Sequence, residues 1–166
     1  MKTSLFKSLL IIIAAISLVS CSKNNEDEVL TQKQFQVSNY DYSSDETKLV
    51  DLINNYRTSK GLNVLEIVNH ISFKSQEHNS YMISNNVVNH DLFDERSSNI
   101  IQVLGAIKVG ENIAYNFTTP EGALNAWMLS SSHKLNIDGN YTHLGISITV
   151  NPVNGKKYYT NMFMKK

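Results

Sequence analysis

The stretch THLGISITV, NPVNG, KKYYTNMFM, residues 142 to 164, constrains this chain most. Leu144, Ile146, Ile148 and Val150 recur at every second position, the period of a strand that packs one face. The Asn-Gly pair in NPVNG supplies turn chemistry suited to a hairpin. The return segment sets Tyr159, Asn161 and Phe163 against Tyr158, Thr160 and Met162, again with a period of two. The expectation is an antiparallel hairpin at the end of the chain.

Helical periods come before it. In SSDETKLVDLINNYRTSKG, Leu49, Leu52, Ile53 and Tyr56 recur at three- and four-residue steps, Ser43 and Glu46 stand at capping-box spacing, and Gly61 is a natural stop. A second helix is expected in LEIVNHISFKSQEHNSYMISNN, with Ile67, Ile71, His78 and Met82 on one face. That placement makes His78 a hydrogen-bonded core or flank residue, and His70 has less claim still to a function. A third helix begins at TTPEGALNAWML, where Thr119 can cap, Pro120 suits the first turn and Glu121 sits at the positive end of the helix dipole. Its buried stripe is Leu124, Trp127 and Met128. Helices first and a hairpin last, around one core, read as an α+β domain.

The first twenty-one residues are of another kind. Lys2 and Lys7 precede an apolar run from Leu9 to Ile16, the pattern of a secretion signal too short for a comfortable membrane span. It ends in LVSC, which resembles the lipobox of bacterial lipoproteins, with Cys21 as the lipidated residue; the alternative is a plain signal followed by an incidental cysteine. Cys21 is the one cysteine of the 166 residues, so the mature chain forms no internal disulfide. Residues 22–44, polar and poor in large aliphatics, read as a flexible tether, leaving 45–166 for the folded domain. The acidic run NEDE resembles a surface-export signal of some Gram-negative lipoproteins and is equally a solvated linker. Lys plus Arg and Asp plus Glu both number 15, which gives no basic stripe and argues against a nucleic-acid partner.

Three polar segments stand out in the middle: VVNHD with His90, GENIAYN with Glu111 and SSSHKLNI with His133. They are expected in or beside loops at helix ends, where a scaffold presents functional side chains. Spacing alone carries no more, because a lone histidine is usually structural. Their order and wording, together with LVDLINNYRTSKGLNVLEI, ALNAWMLSSSHKLNI and YTHLGISI, resemble the CAP domain, the family of cysteine-rich secretory, antigen 5 and pathogenesis-related proteins, and its bacterial members in particular. The resemblance implies an α-β-α sandwich with a central antiparallel sheet and a cleft lined by His90, Glu111 and His133. Asn112 and Ser132 are supporting neighbours, and His143 is a candidate at the cleft rim. Eukaryotic members often carry a second glutamate just after the tryptophan; here WMLS puts Ser130 in that place, a loss that many bacterial members share.

Two neutral imidazoles and a carboxylate can hold Zn²⁺ or another divalent metal with water at the fourth position, which makes His90, His133 and Glu111 candidate ligands. The alternative is a metal-free cluster in which Glu111 orients the histidines. No residue pairs with an adjacent base as a nucleophile on sequence grounds. The reading is therefore a non-enzymatic, lipid-anchored protein of the cell envelope, in the outer membrane or at the cell surface, that binds a lipid, a metal ion or a protein through its cleft. The competing class is a metal-assisted hydrolase of envelope peptides or polymers.

Overall fold

The structure, a computed structural model, describes residues 39–166. The leader with Cys21 and most of the expected tether lie outside the described residues. The folded part reaches back further than expected, because the Tyr40 hydroxyl donates to Glu46 Oε1 at 2.5 Å and lies 2.9 Å from Ser147 Oγ. The Tyr42 hydroxyl donates to Asn69 Oδ1 at 3.1 Å. Helix α1, Ser44–Ser59, starts at the expected capping box: Ser43 Oγ accepts from the Glu46 amide while the Glu46 carboxylate accepts from the Ser43 amide. Gly61, with φ of +73°, turns the chain away in a conformation open to glycine.

The expected second helix starts later than its apolar pattern suggested. Glu66–Ile67 form a short strand, β1, and α2 runs Asn69–Asn85. The Glu66 amide donates to the Thr142 carbonyl and the Val68 amide to the Leu144 carbonyl, so the sheet claims these donors before a helix can. Ile67 is exposed there, whereas Ile71, His78 and Met82 are buried on α2 as expected. Helix α3, Phe93–Leu104, had no sequence expectation behind it; its apolar Phe93, Ile100 and Leu104 are interrupted by Arg96, Ser97, Ser98 and Asn99. Next come β2, Lys108–Tyr115, and α4, Pro120–Leu129, which is capped by Thr119 Oγ1 accepting from the Gly122 amide. A short helix α5, Ser131–Ile137, leads to the hairpin strands β3, His143–Val150, and β4, Lys157–Lys165.

The strand order is β1-β3-β4-β2. Strands β3, β4 and β2 are antiparallel, and β1 adds a parallel pairing at one edge, so the sheet is mixed. Helices α2 and α3 cover one face, and α1, α4 and α5 cover the other. The result is an α-β-α sandwich of the α+β class. Alternation along β4 serves both layers: Tyr159 and Phe163 join the core under α1 and α4, while Met162 and Met164 join that under α2 and α3. Helix α2 lies directly on β3 because Gly145 has no side chain. A β-carbon there would stand 2.3 Å from the Ser72 amide nitrogen.

Candidate functional site

Strand β2 is the free edge of the sheet, and its pleat sends Glu111 and Asn112 to opposite faces. Glu111 registers with Met162 and points to the side of α3, where Arg96 is buried one turn before Ile100. The contact is two-pronged: Arg96 Nε donates to Glu111 Oε2 and Nη2 donates to Oε1, both at 2.9 Å. Arg96 Nη1 donates to the Asp91 carbonyl at 2.7 Å, which ties the α2–α3 loop to the same guanidinium. That loop presents His90, whose Nδ1 lies 2.8 Å from Glu111 Oε1. A carboxylate oxygen accepts, so Nδ1 carries the proton and Nε2 is left as the ring's second nitrogen. The His90 side chain is 48% exposed, against 2% for Glu111.

His78 stands behind this group. It is buried, its Nε2 donates to the Asn89 carbonyl at 2.8 Å, and the same nitrogen lies 3.9 Å from Glu111 Oε1. Its ring stacks on Tyr81, with centroids 5.9 Å apart. Burial is the main cause that holds its pKa below the ordinary histidine value; Glu111 opposes that shift and Arg96 adds to it. His78 is thus a hydrogen-bonded core residue, as its position on α2 predicted, and it also backs the cluster.

On the other face, α5 carries His133. Asn112 Nδ2 donates to the His133 carbonyl at 3.0 Å, and Asn136 Nδ2 donates to the Glu111 carbonyl at 3.1 Å and to Asn112 Oδ1 at 2.9 Å. These bonds stitch α5 to the edge strand. Gly110 makes room for them, since a β-carbon there would meet the Tyr141 hydroxyl at 2.4 Å and Asn136 Oδ1 at 2.8 Å. The far end of α5 is held by Arg57, fully buried, which donates to the Ile137 carbonyl at 2.7 Å and the Gly139 carbonyl at 2.9 Å. His133 and His90 meet past the strand edge with ring centroids 6.4 Å apart. Burial, then the neighbouring His90, lowers the His133 pKa.

Residues 50–163 match the Cysteine-rich secretory protein (CAP) family. The chain belongs to the CAP family. Over 131 residues it is 30% identical to YlbC, described as a membrane protein, and 33% identical to YkwD, both of Bacillus subtilis (strain 168). The match takes in 75% of this chain but 35% and 48% of those relatives, so the chain spans less than half their length. Among solved structures, an extracellular SCP-domain protein of Bacillus anthracis superposes with a TM-score of 0.64 at 26% identity, covering 74% of this chain and 40% of that one. An outer surface protein of Borrelia burgdorferi superposes with a TM-score of 0.68, covering 78% of this chain and 98% of that one. At 21% identity the latter likeness speaks to the fold.

In this CAP domain the fold brings His90 and Glu111 together, and His133 joins them through the His90 ring, with Glu111 committed to Arg96. Asn112 supports the site by holding the α5 backbone. Ser130 and Ser132 lie 3.2 Å apart, hydroxyl to hydroxyl, at the α4–α5 junction, and bond each other rather than either cleft histidine. His143 is elsewhere: it opens β3, with β4 between it and β2, and its Nε2 lies 3.7 Å from Glu66. Arg96 is the residue that sequence reasoning missed. The same contact bears on the expected His₂Glu metal set, because both oxygens of Glu111 are bonded to a buried guanidinium. Among the described residues no group of three or more His, Cys, Asp or Glu is arranged to hold a metal ion. Glu111 as placed does not fit the role of a zinc ligand. Beside the cluster opens a cleft of about 560 Å³, walled by Phe93, Val109, Leu135 and Tyr141, with His90, Glu111, Asn136 and Lys108 as its polar groups. The Lys108 ammonium lies 4.6 Å from the centre of the Tyr141 ring.

Proposed function

We propose that this protein is a ligand-binding CAP domain of the bacterial cell envelope, held at a membrane by lipid on Cys21, and that it acts without turnover. The observation that carries the reading is the posture of His90. Its Nδ1 is fixed on a buried carboxylate, and its half-exposed ring stands at the edge of a largely apolar cleft. Such a site suits a molecule with one polar group for the imidazole and an apolar body for the Phe93, Val109, Leu135 and Tyr141 wall. Relatives described as a membrane protein and as an extracellular protein support an envelope setting. Among the described residues no helix is long and apolar enough to cross a membrane; the lipobox-like LVSC is the feature that supports an anchor at Cys21. Titrating the full chain in detergent with palmitate, followed by amide NMR shifts, tests the cleft. Shifts at Val109, Gly110 and Leu135 that vanish in His90→Ala support it, and no shift there removes a fatty-acid-like ligand.

A carboxylate-oriented histidine is also how a general base is built, and this favours a second reading, hydrolysis of envelope peptides or polymers by an activated water. Turnover of envelope material lost in both His90→Ala and His133→Ala would put the enzyme ahead. The anchor has its own test: Cys21→Ser should move the protein out of the membrane fraction, and retention there would end the lipoprotein reading.

A further inference from the structure

The charge on Glu111 is already answered from within the fold. Oε1 and Oε2 each take a guanidinium N–H, Oε1 also accepts from His90 Nδ1, and the third guanidinium nitrogen is spent on the Asp91 carbonyl. Arg96 and Glu111 are 7% and 6% exposed, so water competes little for either group. A planar guanidinium matches a carboxylate in two-point geometry and stays charged throughout the physiological range. A divalent cation ligated by Glu111 would have either to take the lone-pair site left on Oε2, beside a buried positive charge, or to displace Arg96 and leave it without a counter-ion; both are expensive arrangements.

We infer that Arg96 stands where a divalent cation would stand against Glu111: it is an internal cation that orders the His90–Glu111 pair without metal and bars metal from that carboxylate. What remains open at the cluster is a pair of imidazoles, His90 and His133, with no free carboxylate between them. This holds whether or not the cleft binds a ligand. It narrows the ligands to those recognised by hydrogen bonding and apolar contact, and leaves out cations captured by Glu111.

The test is a zinc titration of the full chain in detergent, by calorimetry, with ¹H–¹⁵N spectra recorded in parallel. In the His90→Ala background, where no imidazole depends on Glu111 for its orientation, Glu111→Gln should leave zinc affinity unchanged within about a factor of two, because Glu111 is no ligand. Arg96→Met alone should bind zinc about tenfold tighter or more, the usual scale for groups around a metal site. That gain should disappear in the Arg96→Met/Glu111→Gln double variant. A loss of about tenfold or more in zinc affinity on Glu111→Gln in the His90→Ala background overturns the inference. So does a folded Arg96→Met variant that binds no better than the parent. Should Arg96→Met fail to fold, the spectra of the unmodified protein decide. An Arg96 Nε–H resonance that stays in place as zinc is added upholds the inference, and its loss or displacement refutes it.

Discussion

Arg96 and Arg57 are both buried, and their partners differ in kind. Arg96 faces a carboxylate, whereas Arg57 faces only oxygens of Asn63, Ile137 and Gly139. Burial lowers the Arg57 pKa, with Asp138 acting against the shift, yet the site works because carbonyl dipoles at the end of α5 take the charge. Replacing Arg57 by Met leaves the buried Ile137 carbonyl without its donor, whereas the Gly139 carbonyl keeps the Tyr141 amide. The expected loss is about 1–3 kcal/mol in chemical unfolding, the scale of one unmet buried acceptor. An unchanged unfolding midpoint would show that water replaces the guanidinium. The two depressed histidines give a second prediction at this scale. His78 and His133 are held neutral mainly by burial, so the unfolded chain binds more protons than the folded one in mild acid. Their contribution to stability is present above about pH 6.5 and fades as pH falls towards their folded values. Thermal melts from pH 7.5 to 5 should show a declining midpoint, with a shallower decline in His78→Phe. Equal slopes would place the proton uptake elsewhere.

The elements depend on two glycines. Gly145 lets the α2 backbone touch β3, so Gly145→Ala must push two backbones apart. A cost of about 1–3 kcal/mol is expected by thermal unfolding, as for other overpacked cores. Gly110 plays the same part between β2 and the Tyr141–Asn136 pair. Gly110→Ala should loosen α5 and broaden the His133 resonances while α1 stays ordered; sharp His133 signals would mean that the stitch survives. The composition of each element also explains what the sequence disclosed. Helix α1, helix α4 and the β3–β4 hairpin carried their own signals, namely a capping box, a Thr-Pro start and a strict two-residue period. Helix α3 did not. Its buried side is Arg96 and Ile100, and a buried arginine counts as polar in any hydrophobic pattern. For the same reason Glu111, expected in or beside a loop, lies within β2: the strand's polar positions are bonded by Arg96 and Asn136 from other elements. Motif order singled out His90 and His133 but not Arg96, because the role of Arg96 exists only once α3 lies against the edge strand.

For the whole molecule, the site straddles the sheet edge. His90 arrives from the α2–α3 side, His133 from the α4–α5 side, and the strand that separates them is β2. The positions of the two rings therefore depend on how both helical layers are clamped to that strand. Asn112→Ala should separate the rings, shifting His133 resonances with little change at Arg96 Nε–H, because its bonds belong to the α5 layer alone. Concerted movement of both would indicate a stiffer sandwich than the contacts describe. Tyr40 and Tyr42 act at the same scale, fastening residues 40–42 onto α1 and α2.

Strand β4 sits in the middle of the sheet although it is the last of the described elements in sequence, and both β2 and β3 pair with it. While the ribosome is still making the segments before it, β2 and β3 have no common partner and neither helical layer has a floor. Long-range pairing of this kind is slow to form. Until β4 is made, the described elements cannot close into the sandwich, so folding of this domain waits on its last described strand.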